Sequence, residues 1–105
     1  MVKQIAFSSF LILSVTIAQS DLENGVRFYD ERHQGCIEDK ADVGPITEAI
    51  SYFEKALKNN AEENEAALYL LKSYYFKAKF AEGNKKIKKE LLRKGKELGL
   101  DYVNR

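Results

Sequence analysis

The side chains most capable of metal or nucleophile chemistry are His33 and Cys36, spaced as His33-x-x-Cys36 with Glu38 and Asp39 close behind. A structural zinc site takes four ligands, commonly as two spaced pairs. The chain has one His and one Cys in total. A Cys–His nucleophile needs a third group to orient its base, and the sequence marks none. The glycines are scattered and form no G-x-G-x-x-G or G-x-x-x-x-G-K pattern, so no phosphate cradle is visible. Glu62, Glu63 and Glu65 fall at an expected helix start, where the macrodipole accounts for acidic residues. Among 16 Asp and Glu residues some close pair is inevitable, so proximity alone does not point to acid–base work. The pattern predicts a protein that is not an enzyme and carries neither metal nor cofactor.

Recognition chemistry has better candidates. Tyr69, Tyr74, Tyr75, Phe76 and Phe80 form an aromatic group within twelve residues, and tyrosine offers a large rigid surface with a polar tip. An aromatic stripe at helical spacing serves equally well as packing between helices, and both readings stand for these rings. Lys85, Lys86, Lys89, Lys94 and Lys96 make a second candidate, a basic surface suited to anionic lipid or cell-wall polyanion.

Four helices are expected to position these groups. Over 21–34, Leu22, Val26, Tyr29 and His33 share a face, with Ser20 or Asp21 as cap and Gly35 as a natural stop. A polar loop follows to Gly44, and Pro45 suits the start of a second helix over 45–59. There Ala49, Ile50, Phe53, Ala56 and Leu57 recur at helical spacing. A third helix over 63–80, with Asn64 as its N-cap, would bury Leu68, Leu71, Tyr74 and Tyr75. A fourth over 85–98 would turn Ile87, Leu91, Leu92 and Leu98 inward and most of its lysines outward. These are two helical hairpins, at about 20–59 and 63–98.

The stretch 46–80 resembles the tetratricopeptide repeat (TPR). That family's second helix reads A-x-x-x-[FY]-x-x-A, matched by Ala49, Phe53 and Ala56, with Ala61 where a Pro would fall. Its first helix reads W-x-x-L-G-x-x-Y, against which stand Leu68, Leu71, Lys72 and Tyr74. Lys72 replaces a small residue, and the turn is one residue longer than the usual phasing. Over about forty residues, including the basic run KKIKKELLRKGKELG, the chain is also similar to exported bacterial TPR proteins, some of them periplasmic partners of TRAP-type solute transporters. The resemblance implies an all-α fold of two antiparallel hairpins stacked as a short right-handed superhelix. It implies a protein or peptide partner held in a helix-lined groove. Placing Leu68 at the Trp position puts Tyr69, Ser73, Tyr75 and Phe76 toward that groove.

Two features sit awkwardly in a repeat array. Ala49-Ile50 and Leu91-Leu92 are 42 residues apart, against ~34 in an ideal TPR. A stack also needs about three units and a polar cap. Two hairpins ending on an Ile/Leu stripe leave apolar surface open, which implies self-association, a docked partner, or a longer repeat protein of which 101–105 is a shortened tail.

The first eighteen residues carry a different signal. Met1-Val2-Lys3-Gln4 is a short positive start, Ile5 to Ile17 is mostly apolar, and Thr16-Ile17-Ala18 supplies small residues at −3 and −1. This predicts a secretory signal peptide over 1–18 cleaved before Gln19, with an uncleaved anchor as the alternative. The run falls short of the ~20 residues that span a bilayer. The expectation is an exported protein, periplasmic in a bacterium, whose membrane contact is through an uncleaved signal or transient. What remains is one small domain, over 19–100. Cys36 is the only cysteine, so no intramolecular disulfide can form; it pairs between chains or serves as a small apolar residue.

Net charge is +1, but unevenly distributed. Between 21 and 65 there are twelve acidic and five basic residues, a surplus of seven negative charges. Between 66 and 105 there are eleven basic and four acidic, a surplus of seven positive charges. Such asymmetry reads either as a basic tail for a polyanion or as helix faces that attract one another when hairpins stack. An exported chain rarely meets nucleic acid, which favours the second and excludes nucleic acid as a partner. A homo-oligomer is one of the outcomes expected of the open Ile/Leu stripe.

Overall fold

The computed structural model describes residues 19–105, and the expected signal peptide at 1–18 lies outside the described residues. The described chain is all-α, four helices in sequence order, with an isolated bridge between Ile37 and Lys40 in place of any strand. Helix α1 is Asp21–Asp30, α2 Val43–Ala56, α3 Glu63–Phe76 and α4 Lys85–Val103. Each packs chiefly on its neighbour in sequence, and α1 also reaches α3.

Helix α1 begins at a Ser20 N-cap. The Ser20 hydroxyl accepts the Glu23 amide at 3.1 Å while Ser20 and Glu23 side chains meet at 3.3 Å, satisfying an amide that the helix start leaves without a partner. The helix ends four residues before the expected 34. Glu31 N–H is shared between the Arg27 and Phe28 carbonyls, and the chain tightens into turns up to Gly35, whose φ of +76° suits glycine. His33 therefore lies beyond the helix. A tight turn follows, closed by mutual amide–carbonyl bonds between Ile37 and Lys40 at 3.0 and 3.1 Å.

Helix α2 starts two residues before Pro45, because the Asp42 carboxylate caps it by accepting the Gly44 amide at 3.1 Å. Pro45 then sits in the first turn, where its missing N–H leaves no bond unmade. Ile46, Ala49, Ile50, Phe53 and Ala56 form its buried stripe. Asn59 organises the link to α3, accepting from the Ala61 amide and donating to Glu62. The cap of α3 is consequently Glu62, whose side chain bonds no amide of the helix, and Asn64 is helical rather than the expected cap. Glu63 and Glu65 in the first turn supply the favourable charge instead.

Helix α3 buries Ala66, Ala67, Leu70, Ser73, Tyr74 and Phe76. The expected stripe was rotated: Leu68 and Tyr75 are each 53% exposed. The cause is that α3 is packed by α2 and α4 and touched by α1, so the small Ala66, Ala67 and Ser73 mark its contact lines. Beyond Phe76 it widens into a π turn, Lys77–Ala81, with Glu82 N–H donating to the Lys77 carbonyl at 2.8 Å. Asn84 caps α4 by accepting the Lys86 and Ile87 amides.

Helix α4 runs five residues past the expected Leu98 and absorbs most of the expected tail. Its end is tied down by Arg105, which pairs with Glu63 and Asp101 at 2.9 Å each. Leu91 is buried and Leu98 half-buried, but Ile87 and Leu92 are exposed rather than inward. The contact line runs through two glycines. A Cβ on Gly95 would lie 3.8 Å from Tyr74, and one on Gly99 3.8 Å from Leu71, so α4 presents Leu91, Gly95, Leu98 and Gly99 to α3. Leu92 is left outside.

Candidate binding face

The four expected groove residues do not share a surface. Ser73 is fully buried and donates from its hydroxyl to the Tyr69 carbonyl at 2.7 Å. Tyr69 is half-buried, stacked on Phe53 with centroids 5.1 Å apart and edge-on to Tyr29 at 5.4 Å. Phe76 is buried between His33 and Phe80, at 5.4 and 5.2 Å. Only Tyr75 reaches solvent freely. The reason is rotational: Tyr69, Ser73 and Phe76 occupy the sector of α3 that meets α1 and α2, whereas Tyr75 lies opposite.

Around Tyr75 a different surface assembles. Leu68, Leu71 and Tyr75, spaced i, i+3, i+7, line the outer side of α3, and Leu92 and Lys96 face them from α4. Between the helices runs a groove of about 190 Å³, floored by Leu71, Tyr74 and Leu91 and walled by Tyr75, Leu92 and Lys96. Gly95 lies in its wall, where a Cβ would meet Tyr74 at ordinary van der Waals distance. Lys79 donates to the Tyr75 hydroxyl at 3.1 Å and fixes that ring at the rim. The Tyr74 hydroxyl donates to Glu54 at 2.8 Å; burial first, then the bond to the Glu54 carboxylate and its charge, raise the phenol above its ordinary value.

The five lysines Lys85, Lys86, Lys89, Lys94 and Lys96 are all exposed. They divide by rotation about α4. At about 100° per residue, Lys85, Lys89 and Lys96 fall in one strip with Leu92, Leu100 and Val103, within about 80° of one another. Leu92, Leu100 and Val103 are 52%, 51% and 81% exposed. The helix carboxylates Glu90, Glu97 and Asp101 occupy a separate strip, and Arg93 bonds both Glu90 and Glu97. The Glu90 bond to Arg93 holds that carboxyl below its usual range. The strip bearing Leu92 and Lys96 is thus apolar and basic, free of acidic groups. Lys94 stands apart, 6.0 Å from the Tyr74 ring centroid.

At the other end of the bundle, His33, Cys36, Glu38 and Asp39 share a pocket of about 260 Å³ with Ala41, Phe76 and Phe80. The π turn builds it: Ala41 N–H donates to the Phe80 carbonyl at 2.9 Å and holds the loop against α3. The Cys36 thiol is free and exposed. Among the described residues no group of three or more His, Cys, Asp or Glu side chains converges as metal ligands would.

The groove was illegible in the sequence because α3 is apolar on nearly every side, so periodicity could not phase it. The one available signal was the pair Gly95 and Gly99, which a helix tolerates where it presses on another. Compared with known proteins, the chain matches no protein-family model, no curated protein sequence and no solved structure.

Proposed function

We propose that this protein is a protein–protein interaction module whose α3–α4 face takes an apolar, acidic segment of a partner. The observation that carries this reading is the groove between Leu71, Tyr75 and Leu92, apolar in its floor and basic at its edge. Its exposed apolar rings and leucines are shielded by no other part of the described chain, and clustered apolar surface of this kind marks docking sites. Lys96 in the wall, with Lys89 and Lys85 along the same strip, sets the preference for acidic partners. The helix-hairpin resemblance to TPR proteins is part of this proposal, with the groove between α3 and α4 rather than along the Tyr69–Phe76 side.

The test is calorimetric titration with two model peptides of equal length. Both carry leucines at i, i+3 and i+7, one with glutamates elsewhere and one with lysines. Binding of the glutamate peptide alone, lost in Tyr75→Ala and Leu92→Ala, supports the reading. Equal binding of both, or none, overturns it.

A second reading rests on the acid-free strip of Lys85, Lys89, Lys96, Leu92, Leu100 and Val103. Lysines snorkelling around apolar side chains suit an anionic lipid surface. Flotation with phosphatidylglycerol vesicles at low and high salt separates this reading from the first. No helix among the described residues is long and apolar enough to cross a membrane. Export to the periplasm belongs to the same proposal, and N-terminal sequencing of the protein from cells would show Gln19 first.

A further inference from the structure

Two departures from regular backbone converge on one cavity. Beyond Phe76 the chain widens into the π turn Lys77–Ala81, and such segments recur at functional sites. Glu38 takes φ +56° without being glycine, a conformation that persists only where the surroundings impose it. The imposing contacts lie on either side of it. Ile37 and Lys40 exchange amide–carbonyl bonds, and the Ala41 amide donates to the Phe80 carbonyl at 2.9 Å. The 37–40 turn, the π turn and the first turn of α4 thereby border a cavity of about 350 Å³. It shares no lining residue with the α3–α4 groove.

The cavity carries three lysines, Lys40, Lys79 and Lys88, and three carboxylates, Glu38, Asp39 and Glu82. No ion pair joins any two of them among the described residues. Two are engaged with neutral groups: Lys79 donates to the Tyr75 hydroxyl at 3.1 Å, and Glu82 accepts the Asn84 amide at 3.0 Å. Lys40, Lys88, Glu38 and Asp39 are left without a charged partner among the described residues. Ile37 and Phe80 supply the apolar part of the lining, and they are 77% and 40% exposed.

This lining selects by charge. An anion alone would meet three carboxylates, and a cation alone three ammonium groups, so a ligand of one sign gains little. A small molecule bearing both signs pairs with each set through charge-assisted bonds. An apolar side chain on the same molecule would cover Ile37 and Phe80, taking from water a surface that the fold leaves exposed.

We propose that this cavity binds a free α-amino acid with an apolar side chain. Its carboxylate is held by Lys40 and Lys88, its ammonium by Glu38 and Asp39, and its side chain lies against Ile37 and Phe80. The site is separate from the docking face, and either can fail without the other.

The experiment is NMR titration of the full chain with L-leucine, glycine, N-acetylleucine and leucine amide, followed at the backbone amides. Leucine should give saturable shifts confined to residues 37–41, 79–83 and 88. N-acetylleucine lacks the ammonium and leucine amide the carboxylate. Each should bind about tenfold or more weakly than leucine, the cost of losing charge-assisted bonds. Lys88→Met, and Glu38→Gln with Asp39→Asn, should weaken leucine by a similar factor at unchanged helical content. Ile37→Ser, at a side chain already in solvent, should weaken leucine and leave glycine unaffected. No saturable shift with leucine up to about 50 mM overturns the proposal. Equal binding of leucine and leucine amide also overturns it, and assigns the cavity to the N-terminus of a peptide. Leucine binding that survives both charge variants, or shifts centred on Leu71 and Leu92, overturns it as well.

Discussion

Gly25 of α1 and Phe53 of α2 occupy the same space up to the hydrogen on one Cα. A Cβ built on Gly25 would lie 2.5 Å from Cε1 and 2.6 Å from Cδ1 of Phe53, well inside van der Waals contact. Phe53 is fully buried, with Tyr69 stacked on its ring and Tyr29 edge-on. The ring cannot retreat without disturbing three helices, so the first hairpin closes only because residue 25 lacks a side chain.

Gly25→Ala should therefore destabilise the fold by about 1–3 kcal/mol, the usual cost of overpacking a core. The sign is informative, because the same change in an open helix would stabilise by up to ~1 kcal/mol. Combining it with Phe53→Leu should recover part of the loss. Urea unfolding of the two single variants and the double variant measures the coupling, and strict additivity would contradict the contact.

Tyr74 predicts an alkaline limit to stability. Its phenol is held neutral in the folded state, chiefly by burial and then by donation to Glu54. Because the folded value is raised above the unfolded one, this contribution is fully present below about pH 10 and is lost as pH rises beyond it. Tyr74→Phe should cost about 1 kcal/mol at neutral pH for the lost bond and flatten the decline above pH 10. Thermal melts at pH 7 to 11 follow both effects.

At the far end of the molecule, Arg105 bonds Glu63 at 2.9 Å and Asp101 at 2.9 Å. The Arg105 bond holds the half-buried Glu63 carboxyl below its usual value. That contribution is present above the unfolded carboxylate range and is lost as pH falls through the lowered value. Carbon-detected NMR titration should find Glu63 moving upward in Arg105→Ala, and the end of α4, which frays on acidification in wild type, should fray at every pH in the variant. Surface pairs contribute little to global stability, so the melting temperature at pH 7 should barely change.

Tyr75→Ala and Leu92→Ala should leave stability within about 0.5 kcal/mol of wild type, as expected of exposed positions. Leu70→Ala and Phe53→Ala, both at buried positions, should cost about 2–5 kcal/mol. Chemical unfolding of the four variants separates surface from core. A large loss at Leu92 would mean that α4 turns its other side inward.

The sequence by itself determined the helical class, the buried stripe of α2 from Ala49 to Ala56, the Ser20 cap of α1, and Gly35 as a turn glycine, though not as the end of α1. These are local matters: a short-range periodicity on a two-sided helix, a side chain that can reach its own backbone, and a residue free to take positive φ. The uneven charge along the chain was equally plain. Tertiary structure alone decided which side of α3 is inside. Leu68, Leu70, Leu71, Tyr74, Tyr75 and Phe76 give that helix apolar groups on most of its circumference, so burial depends on where α1, α2 and α4 arrive. Their arrival is set by contacts distant in sequence, such as the close approach of Phe53 to Gly25. The same holds for Leu92, which stays outside because α4 presents Leu91, Gly95, Leu98 and Gly99 to α3. A pattern of residue types records what a helix can bury, and only the packing of its neighbours fixes what it does bury.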